Sequence, residues 1–303
     1  MTDTVDTSVP PSTSARSGGR AARRAARAAP LADHLRPIRA GRSGGTYKPL
    51  TQAGMERIHR AALDALEQIG LADAPPSGIA YLTGAGAILG DDGRIRFPRA
   101  LVEDTIAKAN RSITLFARDP AHDLELSGTR VHYGTAGAAV HLVDVEGRNY
   151  RECTVQDLHD AARITDVLDN IHCLQRPMVC RDITDNREMD MNTVYACAAG
   201  TRKHIGTSFT EPSFVPDALK MLHMIAGGED KWRERPFFSN SNCFVVPPMK
   251  FATESCLAME ACVRGGMPIL LLSAGQAGAT APASIAGAIV QAVAECLAGV
   301  VYV

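Results

Sequence analysis

The side chains best placed for chemistry in this chain are neutral and polar, and they recur just after short apolar runs. They are Gly134-Thr135, Gln175-Arg176-Pro177, Thr207-Ser208, Asn240 with Asn242, and Ser273 followed by Gln276 and Thr280. Such groups hold and orient a small polar molecule rather than attack it. Ser208 and Ser273 have no His and Asp companions at a recognisable spacing, which argues against a serine nucleophile. Asn240 and Asn242 flank Ser241, so on a strand they share one side, facing either a site or turn hydrogen bonds. Gln175 and Arg176 read equally as site groups or as a structural polar layer. The loop Gly275–Thr280 leads into an apolar helix; its amides would suit an anion, and a plain turn needs the same small residues. His132, His141 and His204 match no metal-ligand spacing, and none of the eight cysteines forms a C-x-x-C pair, so no metal site is expected. Met189 with Met191, and Met221 with Met224, read as core filling.

These positions need a scaffold, and the chain supplies one in regular units. From Thr154 a capping-box-like start (Thr154 to Asp157) opens a helix with Leu158, Ala161, Ala162, Val167 and Leu168 on one face. Strands are predicted at 171–180, 204–209, 237–246 and 268–273, and helices at 189–199, from Pro216 to the Gly227-Gly228 stop, at 251–263 and at 281–303. The run 268–273 is continuously apolar and so is expected to be buried on both faces. Strands alternating with helices imply parallel β/α units. The predicted fold class is therefore α/β: a (β/α)8 TIM-type barrel, incomplete at about five β/α units over residues 131–303, with an N-terminal α+β cap over residues 46–130. In that front section, helices run from Thr51 to Gly70 and from Pro98 to Ala109, and short strands include Val131–Tyr133 and Val140–Val145, with a turn at Glu146-Gly147. A closed barrel needs eight units, so further C-terminal sequence or a partner chain is expected to complete the ring.

Composition bounds the rest. At 46% hydrophobic and 21% charged, the chain has what a globular core requires. The net charge of −1 is uneven: residues 1–45 carry eight Arg and three Asp, leaving −6 on the remainder. That segment lacks aliphatic bulk and is expected to be an unordered Arg/Ala-rich tail, with Ala21–Ala29 able to turn helical on a partner. Nothing in the body suggests nucleic-acid binding. Arg23-Arg24 is followed by no apolar signal region. The segment 285–303 is the nearest approach to a membrane span, but Gln291 and Glu295 interrupt it, so a buried helix is expected and no membrane partner. The scattered cysteines suit reduced thiols and a cytoplasmic location.

Several stretches together resemble the trimethylamine-corrinoid methyltransferase family, in order and over roughly residues 46–303. They are "LTGAGAILGDDGRIRFPRALVEDTIAKA" (82–109), "FARDPAHDLELSGTRVHYGTAG" (116–137), "DVEGRNYRECTVQDLHDAARITDVLDNI" (144–171), "NSNCFVVPPMKF" (240–251) and "AGQAGATAPASIAG" (274–287) with the "AIVQAVAECLAG" that follows. The resemblance implies a (β/α)8 barrel and an enzyme that moves a methyl group from trimethylamine, or from a quaternary amine such as glycine betaine, to the Co(I) of a corrinoid protein. No cofactor is then bound directly; the corrinoid (cobalamin) comes with the partner protein, and a homo-oligomer is expected. Some members use pyrrolysine, whose position would fall beyond Val303. Recognition of a methylated cation calls for aromatic faces or a carboxylate, and the candidates near strand ends are Tyr133, Phe209, Glu211 and Phe244. The candidate substrate-binding set is therefore Tyr133, Thr135, Gln175, Arg176, Ser208, Glu211, Asn240, Asn242, Phe244, Gln276 and Thr280, with no catalytic residue assigned. Two other readings stay open: a lyase- or aldolase-like barrel binding a phosphorylated substrate at Gly275–Thr280, and a non-catalytic binding module.

Overall fold

Thr51 starts the first described helix by accepting a hydrogen bond from the Gly54 amide at 3.1 Å. Helix α1 (Gln52–Gln68) buries Ala62, Leu63 and Leu66. In this computed structural model residues 42–303 are described. The expectations for residues 1–41, an unordered tail and an inducible helix at Ala21–Ala29, lie outside the described residues. Helix α2 (Pro76–Ala85) has proline at its first position and ends at Gly86, whose φ of 109° only glycine adopts readily. Helix α3 spans Arg99–Lys108. Around these helices lie short antiparallel pairs. β1 (Arg42–Ser43) pairs with β6 (Arg130–Val131), β2 (Ile88–Leu89) with β3 (Ile95–Arg96), and β4 (Ser112–Leu115) with β5 (Leu124–Ser127). β7 (His141–Val143) pairs with β8 (Tyr150–Glu152) across the predicted turn.

The regular part begins where the capping box predicts it. Thr154 and Asp157 exchange side chain-to-backbone bonds at the start of α4 (Val155–Val167). Then follow β9 (Cys173–Gln175), α5 (Asn186–Gly200), β10 (His204–Thr207), α6 (Val215–Ala226), α7 (Glu229–Glu234), β11 (Phe238–Asn242), α8 (Thr253–Arg264), β12 (Ile269–Leu271) and α9 (Ile285–Tyr302). The four strands form one parallel sheet in the order β9-β10-β11-β12. Residues 134–139 run parallel beside β9, bridging Gly134 to Cys173 and Ala139 to Met178. Five parallel segments therefore lie in chain order. Among the described residues they form an open sheet.

β12 corrects one expectation. Instead of being buried on both faces, it leaves Leu270 49% exposed, because it is the last strand of the described sheet and nothing among the described residues covers that face of it. Register and burial assign the two faces. Leu174, Ile205 and Phe238 stand side by side and pack on Leu158, Ala162, Val194, Ala218 and Leu222 of the helices. Alternation then places Cys173, Gln175, His204, Gly206, Ser239, Ser241 and Leu270 on the opposite face. A second core joins α1 to the far end of the chain: Ala62, Leu63 and Leu66 share it with Phe244, Phe251, Ala294, Ala298 and Tyr302.

Two buried polar residues fix the amino end of the sheet. Lys203 donates from Nζ to the carbonyls of Thr165, Leu168 and Ile171 at 2.6–2.8 Å, closing the C-terminal end of α4. Burial pushes its ammonium pKa down. His204 bonds the Phe116 carbonyl at 2.7 Å through Nδ1 and Ser239 Oγ at 3.0 Å through Nε2. A carbonyl only accepts, so Nδ1 carries the proton and Nε2 accepts from the serine. Burial pushes the His204 pKa down to about 4.

Candidate active site

Barrel and open α/β sheets alike place ligands at the carboxyl ends of parallel strands, so the face carrying Gln175 and Ser241 is followed upward. Gln175 on β9 reaches across β10 and donates from Nε2 to Ser241 Oγ on β11. It can do so because residue 206, which lies between them, is glycine: a Cβ there would sit 2.0 Å from Gln175 Oε1. Thr135 adds the adjoining segment, its hydroxyl donating to the Gln175 carbonyl. The Gln175–Ser241 bond thus forms a polar rung across β9, β10 and β11 on the open face, and Thr135 ties the adjoining segment to it through the Gln175 backbone.

Beside it, at the ends of β9 and β10, Arg176 Nη2 donates to Ser208 Oγ at 2.9 Å. Asp190 of α5 lies close by and is buried; its Oδ2 accepts from the Thr210 amide and hydroxyl at 2.8 and 2.9 Å. Burial raises the Asp190 carboxyl, opposed by Thr210 and by the charge of Arg176. Glu211 follows at the surface, preceding a short helical turn at Pro212–Phe214. A hollow of about 280 Å³ opens next to this group, lined by Val179, Cys180, Thr184, Asn186 and Met189.

The ends of β11 and β12 are held together from α9. Glu295, fully buried, accepts from the Met249 amide at 2.8 Å, from Gln291 Nε2 at 3.1 Å and from the Ser273 hydroxyl. Gln291 also donates to the Thr280 carbonyl at 2.9 Å. Sequence reasoning did not select this pair, although its signal was present: two polar residues four apart in an otherwise apolar helix. Gln276 and Thr280 are brought together, Thr280 Oγ1 accepting from the Gln276 amide at 2.9 Å. The amides of residues 278–281 are donated within the same loop. This corrects the anion-binding expectation for Gly275–Thr280, because a turn that spends its own N–H groups offers no nest.

Other expected positions lie elsewhere. Tyr133 is at the amino end of the sheet, stacked on His172 with ring centroids 6.0 Å apart, because the parallel segment begins one residue later than the predicted strand ends. Phe244 is fully buried in the second core, so its ring is not offered to a cation, whereas Phe209 packs half-buried against the first. Asn240 and Asn242 share a side as predicted, but it is the helix side: the Asn240 side-chain amide is buried there with neither of its polar atoms hydrogen-bonded, and Asn242 Nδ2 donates to the Ser255 carbonyl at 3.0 Å. Among the described residues no cluster of His, Cys, Asp and Glu has metal-binding geometry. α9 is the described helix long and apolar enough to cross a membrane, and its inner side carries Gln291 and Glu295.

Comparison with known proteins adds an independent line. A family model described as trimethylamine methyltransferase (MTTB) matches residues 16–303. Over 251 residues the chain is 30% identical to a trimethylamine methyltransferase MttB of Desulfitobacterium hafniense, covering 80% of this chain and 49% of that one. It is 24% identical to MttB1 of Methanosarcina mazei, covering 81% and 50%. It is 25% identical to a glycine betaine methyltransferase of Desulfitobacterium hafniense, covering 84% and 52%. The chain spans about half the length of the curated relatives it matches.

Proposed function

The chain belongs to the trimethylamine methyltransferase family, and from that premise we propose that it forms the first part of a (β/α)8 barrel whose carboxyl rim presents a methylated amine to the Co(I) of a corrinoid protein. The observation that carries the reading is the chain-order sheet of five parallel segments, with the polar rung Gln175–Ser241 on the face away from the helices. A doubly wound sheet reverses strand order at a switch point, and no reversal occurs here. In a barrel the face away from the helices becomes the interior, which puts Gln175 and Ser241 where a substrate enters.

The chemistry asks little covalent work of the protein. The C–N bond breaks as its carbon is taken by cobalt, and the nitrogen leaves with the electron pair. Catalysis is then mostly the alignment of methyl, nitrogen and metal. A quaternary ammonium leaves as a neutral amine and needs no acid; a tertiary amine must first gain a proton or an adduct. Thr135, Gln175, Ser241 and the Arg176–Ser208 pair supply rigid dipoles for that alignment, and Glu211 stands at the rim. The corrinoid is a co-substrate held by its own carrier protein. The eight free thiols suit a reducing, cytoplasmic setting.

The test mixes the full-length protein with its corrinoid partner reduced to Co(I) and follows the visible spectrum. Trimethylamine or glycine betaine should convert Co(I) to methylated cobalt in step with demethylated amine. A full-length protein and partner that leave Co(I) unchanged with every methylated amine would overturn the proposal.

A further inference from the structure

Glu295 does more than the loop-holding geometry asks of it. Its three partners, the Met249 amide, the Gln291 amide and the Ser273 hydroxyl, are neutral donors, and no ion pair to it occurs among the described residues. A glutamine would hold the same loops. Its Oε1 would accept from Met249 and Gln291, and its Nε2 would donate to Ser273, whose hydroxyl can reverse its role. The negative charge is therefore surplus to the clasp. A carboxylate held only by neutral donors, with no cation beside it, is more than a clasp alone would select.

The charge is also well placed. It lies behind the loops that follow β11 and β12, at the carboxyl end of the sheet. The two loops it holds, at Met249 and Ser273, are the ones that leave the carboxyl ends of β11 and β12, where that rim opens. We infer that Glu295 is the buried counter-charge that selects a cationic, methylated nitrogen at this rim. It acts through the Ser273 and Met249 loops by its field, without touching the substrate. The inference rests on the methyl-transfer reading above and names the group that makes the site favour an ammonium over a neutral molecule of the same shape.

The experiment measures binding to the full-length protein by calorimetry with three probes: tetramethylammonium, glycine betaine, and 3,3-dimethylbutanoate, which replaces the betaine nitrogen with carbon. Glu295→Gln should weaken tetramethylammonium roughly tenfold or more, the scale of one unit charge in a medium of effective dielectric near 20. It should weaken glycine betaine by less, because its own carboxylate is relieved of repulsion, and should leave the anionic 3,3-dimethylbutanoate bound no more weakly than before, by the same Coulomb argument. Glu295→Asp, which keeps the charge, should retain most of the affinity. If Glu295→Gln binds the ammonium ions as well as the unmodified protein does, the counter-charge role falls and the methyl-transfer reading stands. Equal loss of all three probes, or failure of Glu295→Asp to retain binding, shows a structural clasp and overturns the inference. If the unmodified protein binds neither ammonium ion, this inference falls, while the methyl-transfer reading is decided separately by the cobalt assay.

Discussion

At the scale of single residues, the sheet's open face depends on an absence. Gly206 leaves the space through which Gln175 reaches Ser241. Gly206→Ala should therefore cost about 1–3 kcal/mol in denaturant unfolding, the usual penalty of overpacking. In the double variant Gln175→Ala/Gly206→Ala most of that loss should be recovered, and a strictly additive pair would refute the crossing. His204 gives a pH signature. Its folded pKa of about 4 lies below the ordinary 6.5, so between those values the unfolded chain binds more protons and stability rises with pH. On acidification from pH 6.5 to 4 about 3 kcal/mol should be lost. His204→Gln should flatten that segment of the stability curve, and an unchanged slope would show that another group is responsible. Gln175, Ser208 and Thr135 were legible as strand-end positions because strand ends can be read from apolar runs. Glu295 was not, because a lone carboxylate in an apolar helix shows neither its partners nor its depth until the fold brings Met249 and Ser273 to it.

At the scale of elements, punctuation was the reliable signal. Thr154 with Asp157 marked the start of α4, and Gly227, at φ 85°, marked the end of α6. Thr154→Ala should lower stability by about 1 kcal/mol, read as a drop in melting temperature; no drop would mean that Asp157 and Arg151 hold the helix start unaided. Helix α2 escaped the sequence reading because Pro75-Pro76 and Gly78 look like a break. A proline in the first turn costs a helix nothing, and Gly78 sits against the Tyr302 ring, where a Cβ would lie 2.2 Å from the hydroxyl. The six residues of α7 were missed for lack of length. The apolar run at β12 announced a strand correctly but not its exposure, because hydrophobicity reports what a segment prefers and not whether a neighbour is present to cover it.

At the scale of the molecule, the strand sequence was readable from alternation, while the union of the first described helix with the last was not, since no local pattern encodes a contact between residues 66 and 298. Leu66→Ala should cost about 2–5 kcal/mol, and hydrogen exchange should quicken in α9 as well as in α1. Quickening confined to α1 would show that the second core is not one cooperative unit. That union has a consequence for biosynthesis. The apolar stripe of α1 leaves the ribosome roughly 230 residues before its partners in α9 do, a wait on the order of 10–50 seconds at ordinary translation rates. During that interval Ala62, Leu63 and Leu66 are an adhesive surface without a mate, and the nascent chain is a natural client for chaperones.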